Sequence, residues 1–481
     1  MPTYALMALA VTSSIVLALS GCASSAGIAP SAQPVAPASV GIDAATTAPA
    51  VATDWWKAFS DPALDDLVAK AVAGSPTLKV AQARLARAQA AVAGAQSREL
   101  PQVNGVGNAT RERFSANGIF PAPLGGNWWT NADLEADVSW ELDFFGRNQA
   151  AIEAAVGTAR AAQADVDAAR VLLASNVARG YVQLARLIEQ HKVAERSLAQ
   201  RDEVLGLIRQ RVQGGLDTNV ELRQGEESLP ETRQQIEQLD EQITLTRHAL
   251  AALTVQPPDA LASLSPPLTA VHAVPVPANV PADLLGRRAD IAAARWRVEA
   301  ATSDVKAAKA EFYPNINLTA AIGLTSLGFD NLFKGSSRQI GFGPALSLPI
   351  FDAGRLRANL RGKTADVDAA VESYNGAVID AVHDVADQLA SLRSIDRQQT
   401  EQARAQEAAE SAYDLATQRY KAGLGTYLVV LNAESTVLAQ RRLAADLKAR
   451  ALDTQVALIR ALGGGYVPTE GPADTPLASA H

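Results

Sequence analysis

The chain has 481 residues, of which 48% are hydrophobic and only 5% aromatic, and it carries a net charge of −8. That acidic balance argues against a nucleic-acid partner, which would favour a basic patch. No apolar run of eighteen residues lies beyond the N-terminus, which excludes helical membrane spans there and leaves strands as the only way across a bilayer.

Residues 1–21 form an apolar leader that reads as a signal peptide and ends in Leu19-Ser20-Gly21-Cys22. Cys22 is the only cysteine, so disulfides within one chain are impossible. Residues 22–53, rich in Ala, Ser, Pro and Thr, read as an extended linker, with order beginning near Asp54-Trp55-Trp56. Two helical patterns follow, separated by Gly74-Ser75-Pro76.

From Ala132 to Leu142 the even positions are apolar or small (Ala132, Leu134, Ala136, Val138, Trp140, Leu142). The odd ones (Asp133, Glu135, Asp137, Ser139, Glu141) are polar, and Asp143 continues that set. A two-residue period predicts a strand with one greasy and one acidic face. About eleven such residues, tilted, span a hydrocarbon core of about 30 Å. If the strand lines a lumen, the carboxylates face water and cations pass preferentially.

The stretch occurs twice. A shift of 208 places Ser139-Trp140 on Ser347-Leu348 and Gly146-Arg147 on Gly354-Arg355, then runs ungapped to lay RVQGGLDT (residues 211–218) on RYKAGLGT (residues 419–426). Upstream, a shift of 213 places Leu100-Pro101-Gln102-Val103 on Tyr313-Pro314-Asn315-Ile316, and the difference of five falls between the two strands of each half, where a loop absorbs it. One structural unit is written twice. We therefore expect repeats at 54–254 and 283–462, a connector at 255–282 with seven prolines, and a disordered tail at 463–481.

Within each repeat a long proline-free helix follows the second strand. In the second copy Val367, Val371, Tyr374, Val378, Val382, Val385, Leu389 and Leu392 recur every three or four residues, a narrow seam for a neighbouring helix. Glycine-bearing turns at 213–216 and 421–424 reverse the chain, and Pro230 is expected to bend the first returning helix. Four strands leave unpaired edges and fall short of the roughly eight of a closed barrel. Three chains would supply twelve strands in one cyclic wall. The expected fold is mainly α with a β-barrel part: a duplicated protomer whose long coiled-coil helices continue a trimeric twelve-stranded barrel as a tunnel.

The order Leu-Ser-Gly-Cys, WWKAFSDPALDDLV, LPQVNGVG, ELDFFGR, RVQGGLDT, LPIFDAGR and RYKAGLGTYLVVLNAE resembles the TolC-like outer-membrane factors of tripartite efflux systems, in their lipoprotein branch. The resemblance implies acylation of Cys22, outer-membrane lipid around the barrel and no cofactor beyond that acyl group. It further implies export of small molecules in company with a periplasmic adaptor and an inner-membrane transporter of the resistance-nodulation-division type.

Carried onto this sequence, the adaptor-contacting tips are Arg211, Gly215, Leu216 and Thr218, and Arg419, Tyr420, Gly423, Leu424 and Thr426. The tunnel constriction falls on Val429 and Asn432, where the family has carboxylates, with Tyr420 and Glu221 placed to form a link. An apolar ring that gates by dewetting is the natural substitute for the missing acids. Asp380, His383, Asp384 and Asp387 share one helix face, yet alternating charge on a long helix is the usual solvated surface, and no metal or enzymatic activity is expected. The competing reading is a periplasmic coiled-coil scaffold or adaptor lipoprotein without a pore, which would need neither the apolar even set nor a duplicated strand pair.

Overall fold

The computed structural model describes residues 24–41, 51–268 and 284–468. A 3-10 turn at Trp55–Phe59 leads into α1 (Pro62–Gly74) and α2 (Pro76–Gln96). Asp61 and Ser75 cap these helices by accepting from Ala63 N and Leu78 N, and a proline at the first helical position pre-sets φ in each. Strands β1 (Gln102–Arg113) and β2 (Trp128–Leu142) follow. Helix α3 (Arg147–Gln213) then runs 67 residues, about 100 Å at 1.5 Å per residue, before α4 (Asn219–Leu253) returns for 35.

After the connector and one helical turn, α5 (Leu284–Arg287), the second repeat supplies α6 (Ala289–Ala310), β3 (Asn315–Leu327), β4 (Arg338–Ser347), α7 (Arg355–Lys421) and α8 (Tyr427–Ala461). The long and returning helices have 67 and 35 residues in both copies.

The four strands form one antiparallel sheet in the order β1-β2-β3-β4. Gln102 pairs with Ser139 and Asn315 with Ser347, so both hairpins carry one register, related by the shifts of 213 and 208. Away from the sheet, the upper half of α3 packs on α2 and α6, and its lower half on α4 and α8. The predicted α7 seam is buried at Val367, Val371, Val378, Val385 and Leu389, against Ile291, Val298 and Val305 of α6 and Leu458 of α8.

A waist of buried side chains fixes the midpoint, with Trp55, Trp56 and Phe59 packed on Tyr181, Leu184 and Leu250. Tyr181 Oη donates to Asp61 Oδ2 at 2.7 Å, tying the α1 cap to the middle of α3. Pro230 lies inside α4 without ending it.

Two expectations change. The tail is not free from its first residue: Gly463, Gly464 and Gly465 all have positive φ and are buried. A Cβ on Gly464 would sit 2.3 Å from Val171 Cγ1, so glycine is required by both conformation and space. Only residues 469–481 of the expected tail lie outside the described residues, as do the leader and Cys22. The linker, too, is partly held. Ser31 N and Ala32 N donate to Asp368 Oδ1 at 2.7 and 2.8 Å, and Val35 N donates to Asn375 Oδ1 at 2.8 Å, so residues 24–41 lie along α7.

Helix α3 approaches α6 closely at Gly157, where a Cβ would stand 3.0 Å from Ala300 Cβ. Gly157→Val is expected to lower the thermal midpoint of the purified protein, with about 1–3 kcal/mol lost to overpacking. Gly206→Ala, where a Cβ meets nothing within 4 Å, is expected to leave the midpoint unchanged or higher.

Candidate channel wall and helical tips

Pairing fixes which side chains share a face of the sheet, since directly opposed residues project the same way. Trp140 opposes Leu318 and Leu318 opposes Pro344, while Val138 opposes Val103 and Ala320 opposes Phe342. One face is thus apolar across all four strands, and in the isolated protomer it is bare: Phe342 is 90% exposed, Leu346 69% and Ile340 68%. Asp133, Glu135 and Asp137 lie on the other face, opposite Asn108, Val106 and Asn104 of β1 and Thr325, Gly323 and Ala321 of β3. Asp133 accepts from Thr325 Oγ1 at 2.5 Å and from Asn131 Nδ2 at 3.0 Å. At the strand ends, Tyr313 stacks on Phe145 with centroids 4.9 Å apart, and Trp140 Nε1 donates to Glu99 O at 2.8 Å.

Asp143 does not belong to the acidic face. Beta2 ends at Leu142, and the Asp143 carboxylate accepts from Arg147 N at 2.7 Å and Gln149 N at 2.9 Å, capping the first turn of α3. Asp352 does the same for α7, accepting from Gly354 N at 3.0 Å and Leu356 N at 2.8 Å. Each long helix therefore starts under a carboxylate that answers its unpaired N–H groups and positive end. Glu141 is paired with Arg147 Nη2 at 2.5 Å.

At the opposite extreme both hairpins turn in the same way. Gly215 (φ 70°) and Gly423 (φ 76°) occupy the left-handed region, and Leu216 N and Leu424 N each reach back to a carbonyl, of Arg211 and Arg419 respectively, at 2.8 Å. This pushes both leucines outward, 68% and 70% exposed.

A charged link joins the two tips. Arg211 grips Asp217 with Nε at 2.8 Å and Nη2 at 3.1 Å, donates through Nη1 to Tyr420 O at 3.1 Å, and lies 4.6 Å from the Tyr420 ring centroid. Tyr420, fully buried, donates its phenol to Asp217 Oδ2 at 2.5 Å. The Arg211 guanidinium holds the Asp217 carboxyl below the usual carboxylate range, and the Tyr420 phenol adds to this. Burial, then the Asp217 carboxylate, pushes the Tyr420 phenol up.

Above the tips a buried ionic layer ties the helices together. Arg201 of α3 bonds Glu434 of α8 at 3.0 Å and Thr232 of α4 at 2.8 Å, and Arg441 of α8 bonds Glu410 of α7 at 2.5 Å and Gln200 of α3 at 3.1 Å.

The structure separates the expected constriction residues. Glu221 does not link to Tyr420: its carboxylate accepts from Thr218 N at 2.9 Å while Thr218 Oγ1 accepts from Val220 N at 3.1 Å, a reciprocal cap on α4. Thr426, at the matching position before α8, makes no side-chain cap. Val429 and Asn432 lie on α8 and are exposed in the protomer, while Arg419 donates to Leu424 O at 3.4 Å. On the solvated face of α7, Asp384 is paired with Arg288 at 3.4 Å.

The family model for outer membrane efflux proteins matches residues 67–255 and 280–464, the two repeats. The chain belongs to this family. Among its relatives, the putative multidrug resistance outer membrane protein MdtQ of Escherichia coli is 32% identical over 420 residues, covering 86% of this chain and 88% of MdtQ. The outer membrane protein VceC of Vibrio cholerae superposes with a TM-score of 0.81 at 35% identity, covering 86% of this chain and 99% of VceC. The outer-membrane channel OprN gives 0.81 at 30% identity, with 92% and 98% covered.

The protein is thus an outer-membrane efflux channel protomer of TolC-like architecture, extending into the periplasm, and the scaffold without a pore is set aside. Asp217 is the tip residue that sequence reasoning missed. The signal that could have found it is a difference between the copies: Asp217 aligns with Gly425 and Tyr420 with Val212, so the link is made once, across the repeats.

In planar bilayers Asp217→Asn is expected to raise the open fraction more than Tyr420→Phe, which keeps the Arg211 pair. Because the Asp217 pKa is lowered by folding, the link's contribution is complete above the ordinary value near 4 and is lost as pH falls through the depressed value. Lowering pH from 7 to 5 should leave wild-type closure unchanged, and loosening should begin only below about 4.

Proposed function

We propose that three copies close into one twelve-stranded barrel and one helical tunnel, forming the exit duct of a tripartite pump that exports small toxic molecules. The observation that carries this is a set of contacts made once where the duplication calls for two. Beta2 pairs with β3, α3 packs on α6, and α3 packs on α8. Their repeat equivalents are β4 with β1, α7 with α2, and α7 with α4, and these are available only from a second copy. Beta1 and β4 are accordingly the sheet edges, and α2 buries only Leu78 within the protomer. The even strand number makes β4 antiparallel to an incoming β1, so the ladder continues around a ring without an edge.

The apolar face then meets lipid and the carboxylates line water. Leu216 and Leu424 at the tips offer apolar knobs to a periplasmic adaptor, and through it to an inner-membrane transporter of the resistance-nodulation-division type. Drug-like cargo fits the name of MdtQ, and a wide tunnel without a specific pocket leaves selection of the cargo to the transporter. The function needs no cofactor and no catalysis: the chain is a passive conduit that its partners open.

The held linker supports acylation of Cys22. Arg357, in the first turn of α7 just below β4, donates to the carbonyls of Ser24 and Ala26, and from there the segment runs down α7 to Asn375. Ser24, the first described residue, lies at the membrane end of the helices, and this supports an acyl anchor on the neighbouring cysteine; each buried methylene would contribute about 0.8 kcal/mol to anchoring.

The purified protein is expected to behave as a trimer in detergent and to carry acyl mass that Cys22→Ser abolishes. Its channels should prefer cations, and Asp133→Asn with Glu135→Gln and Asp137→Asn should move the reversal potential in a salt gradient toward zero. A monomer, or non-selective conduction by the wild type, would overturn the shared-wall reading. Val429→Asp is expected to raise closed-state conductance by wetting an apolar ring, and an unchanged value would remove that ring as the gate.

A further inference from the structure

The register sorts the strand charges completely by face. On the inward face every charged residue is acidic: Glu112, opposite Trp129, and Asp133, Glu135, Asp137 and Glu141 of β2. On the outward face every charged residue is an arginine. Arg113 opposes Trp128 and Arg111 opposes Thr130, in line with Val103, Gly105, Gly107 and Ala109; Arg338 opposes Leu324, in line with Ile340 and Phe342.

All three arginines are exposed and stand toward the hairpin end of the strands, away from the helices. A cation in mid-bilayer costs about 2–4 kcal/mol and one at the interface nearly nothing, so these side chains belong at the external headgroup level. Trp128, Phe120 and Phe333, exposed at the same end, mark that level as an aromatic girdle does.

Solubility alone would not select this pattern. A rim facing only water could use either sign, and the chain as a whole carries an excess of acids, with a net charge of −8. Here the outward rim uses one sign and one residue type, the one whose planar fork matches phosphate. Arg111 and Arg113 lie on β1 and Arg338 on β4, the two strands that must meet at the subunit seam, so each seam collects three guanidiniums. Arg113 Nε is held by Gly126 O at 3.0 Å, which fixes the stem and leaves its terminal nitrogens for a ligand. Among the described residues neither Arg111 nor Arg338 makes an ion pair with a carboxylate.

We infer that Arg111, Arg113 and Arg338 form a seam site for the phosphate groups of the phosphorylated glycolipid in the outer leaflet, clamping that lipid across neighbouring subunits. The inference rests on the trimeric barrel reading. The guanidiniums would take the place of the divalent cations that otherwise bridge such phosphates, sealing the seam where two edge strands join.

The test uses the intact trimer in detergent, incubated with a bis-phosphorylated acylated glucosamine disaccharide, its dephosphorylated counterpart, or phosphatidylglycerol, with bound lipid counted by native mass spectrometry. The combined Arg111→Gln, Arg113→Gln and Arg338→Gln variant is expected to retain at least tenfold less of the phosphorylated glycolipid while keeping wild-type channel conductance. Arg404→Gln, an exposed arginine on the distant tunnel helix, should retain it fully. Preserved conductance keeps the barrel reading intact whichever way the lipid result falls. Equal retention by wild type and triple variant, equal retention of the dephosphorylated lipid, preference for phosphatidylglycerol, or displacement by millimolar inorganic phosphate would each overturn the site.

Discussion

The whole architecture depends on unpaired backbone at two strand edges. In hydrocarbon an N–H or C=O without a partner costs several kilocalories per mole, and a four-stranded sheet has a row of them on each side. Duplication answers half of the demand, since β2 of the first repeat finds β3 of the second. The other half falls to another copy. The same arithmetic governs the helices: α6 is flanked by α3 and α7, whereas its equivalent α2 has only α3. Sheet and tunnel are incomplete in the same places, so a single closure satisfies both.

Repetition sets the plan, and departures from repetition distinguish the two tips. The 67- and 35-residue helices, the helix starts under Asp143 and Asp352, and the glycine turns are shared by both copies. The Arg211–Asp217–Tyr420 link is not, nor is the Thr218–Glu221 cap, which has no side-chain counterpart at Thr426. Asymmetry at the tips gives one closed ring two kinds of helix end: a first hairpin stiffened by its cap, and a second tied to it through one phenol.

Much of this was legible in the chain because the governing signals are periodic. Period two in residues 132–142 and the offsets of 208 and 213 were enough to give the strands and the two faces of β2, while the pairing register came from the structure, where a one-residue slip would turn every carboxylate to the apolar face. Local chemistry was harder to read. Asp143 continued the alternation by parity, and only the Gly-Arg that follows it marks a helix start needing an acceptor. Glu221 looked available for Tyr420, although Thr218-x-x-Glu221 is itself a capping-box spacing. The glycine run at 463–465 resembled a frayed end because composition does not reveal that Val171 and Ala52 lie against it. Nor does an alanine- and proline-rich linker announce the two side chains, Asp368 and Asn375, that receive its backbone 337 and 340 residues away.

The tips must satisfy two opposed demands, and the magnitudes can be compared. A charge-assisted hydrogen bond contributes about 1.5–3 kcal/mol when its partners are shielded, and Arg211 and Asp217 are only 11% and 10% exposed. One such link per subunit amounts to about 5–9 kcal/mol around a three-fold ring. Driving a two-state equilibrium from nearly all closed to nearly all open takes about 5.5 kcal/mol of differential binding. On the proposed trimeric duct, a link of this size would hold the tips together yet yield to one good docking interface. The ionic layer of Arg201, Glu434, Arg441 and Glu410 sits farther from the tips and joins all four tunnel helices, so losing one partner would strand several others. It is suited to remain intact as the pivot about which the tips would part, so that opening on the proposed reading exchanges one shielded link per subunit at the periplasmic end and leaves the barrel wall undisturbed.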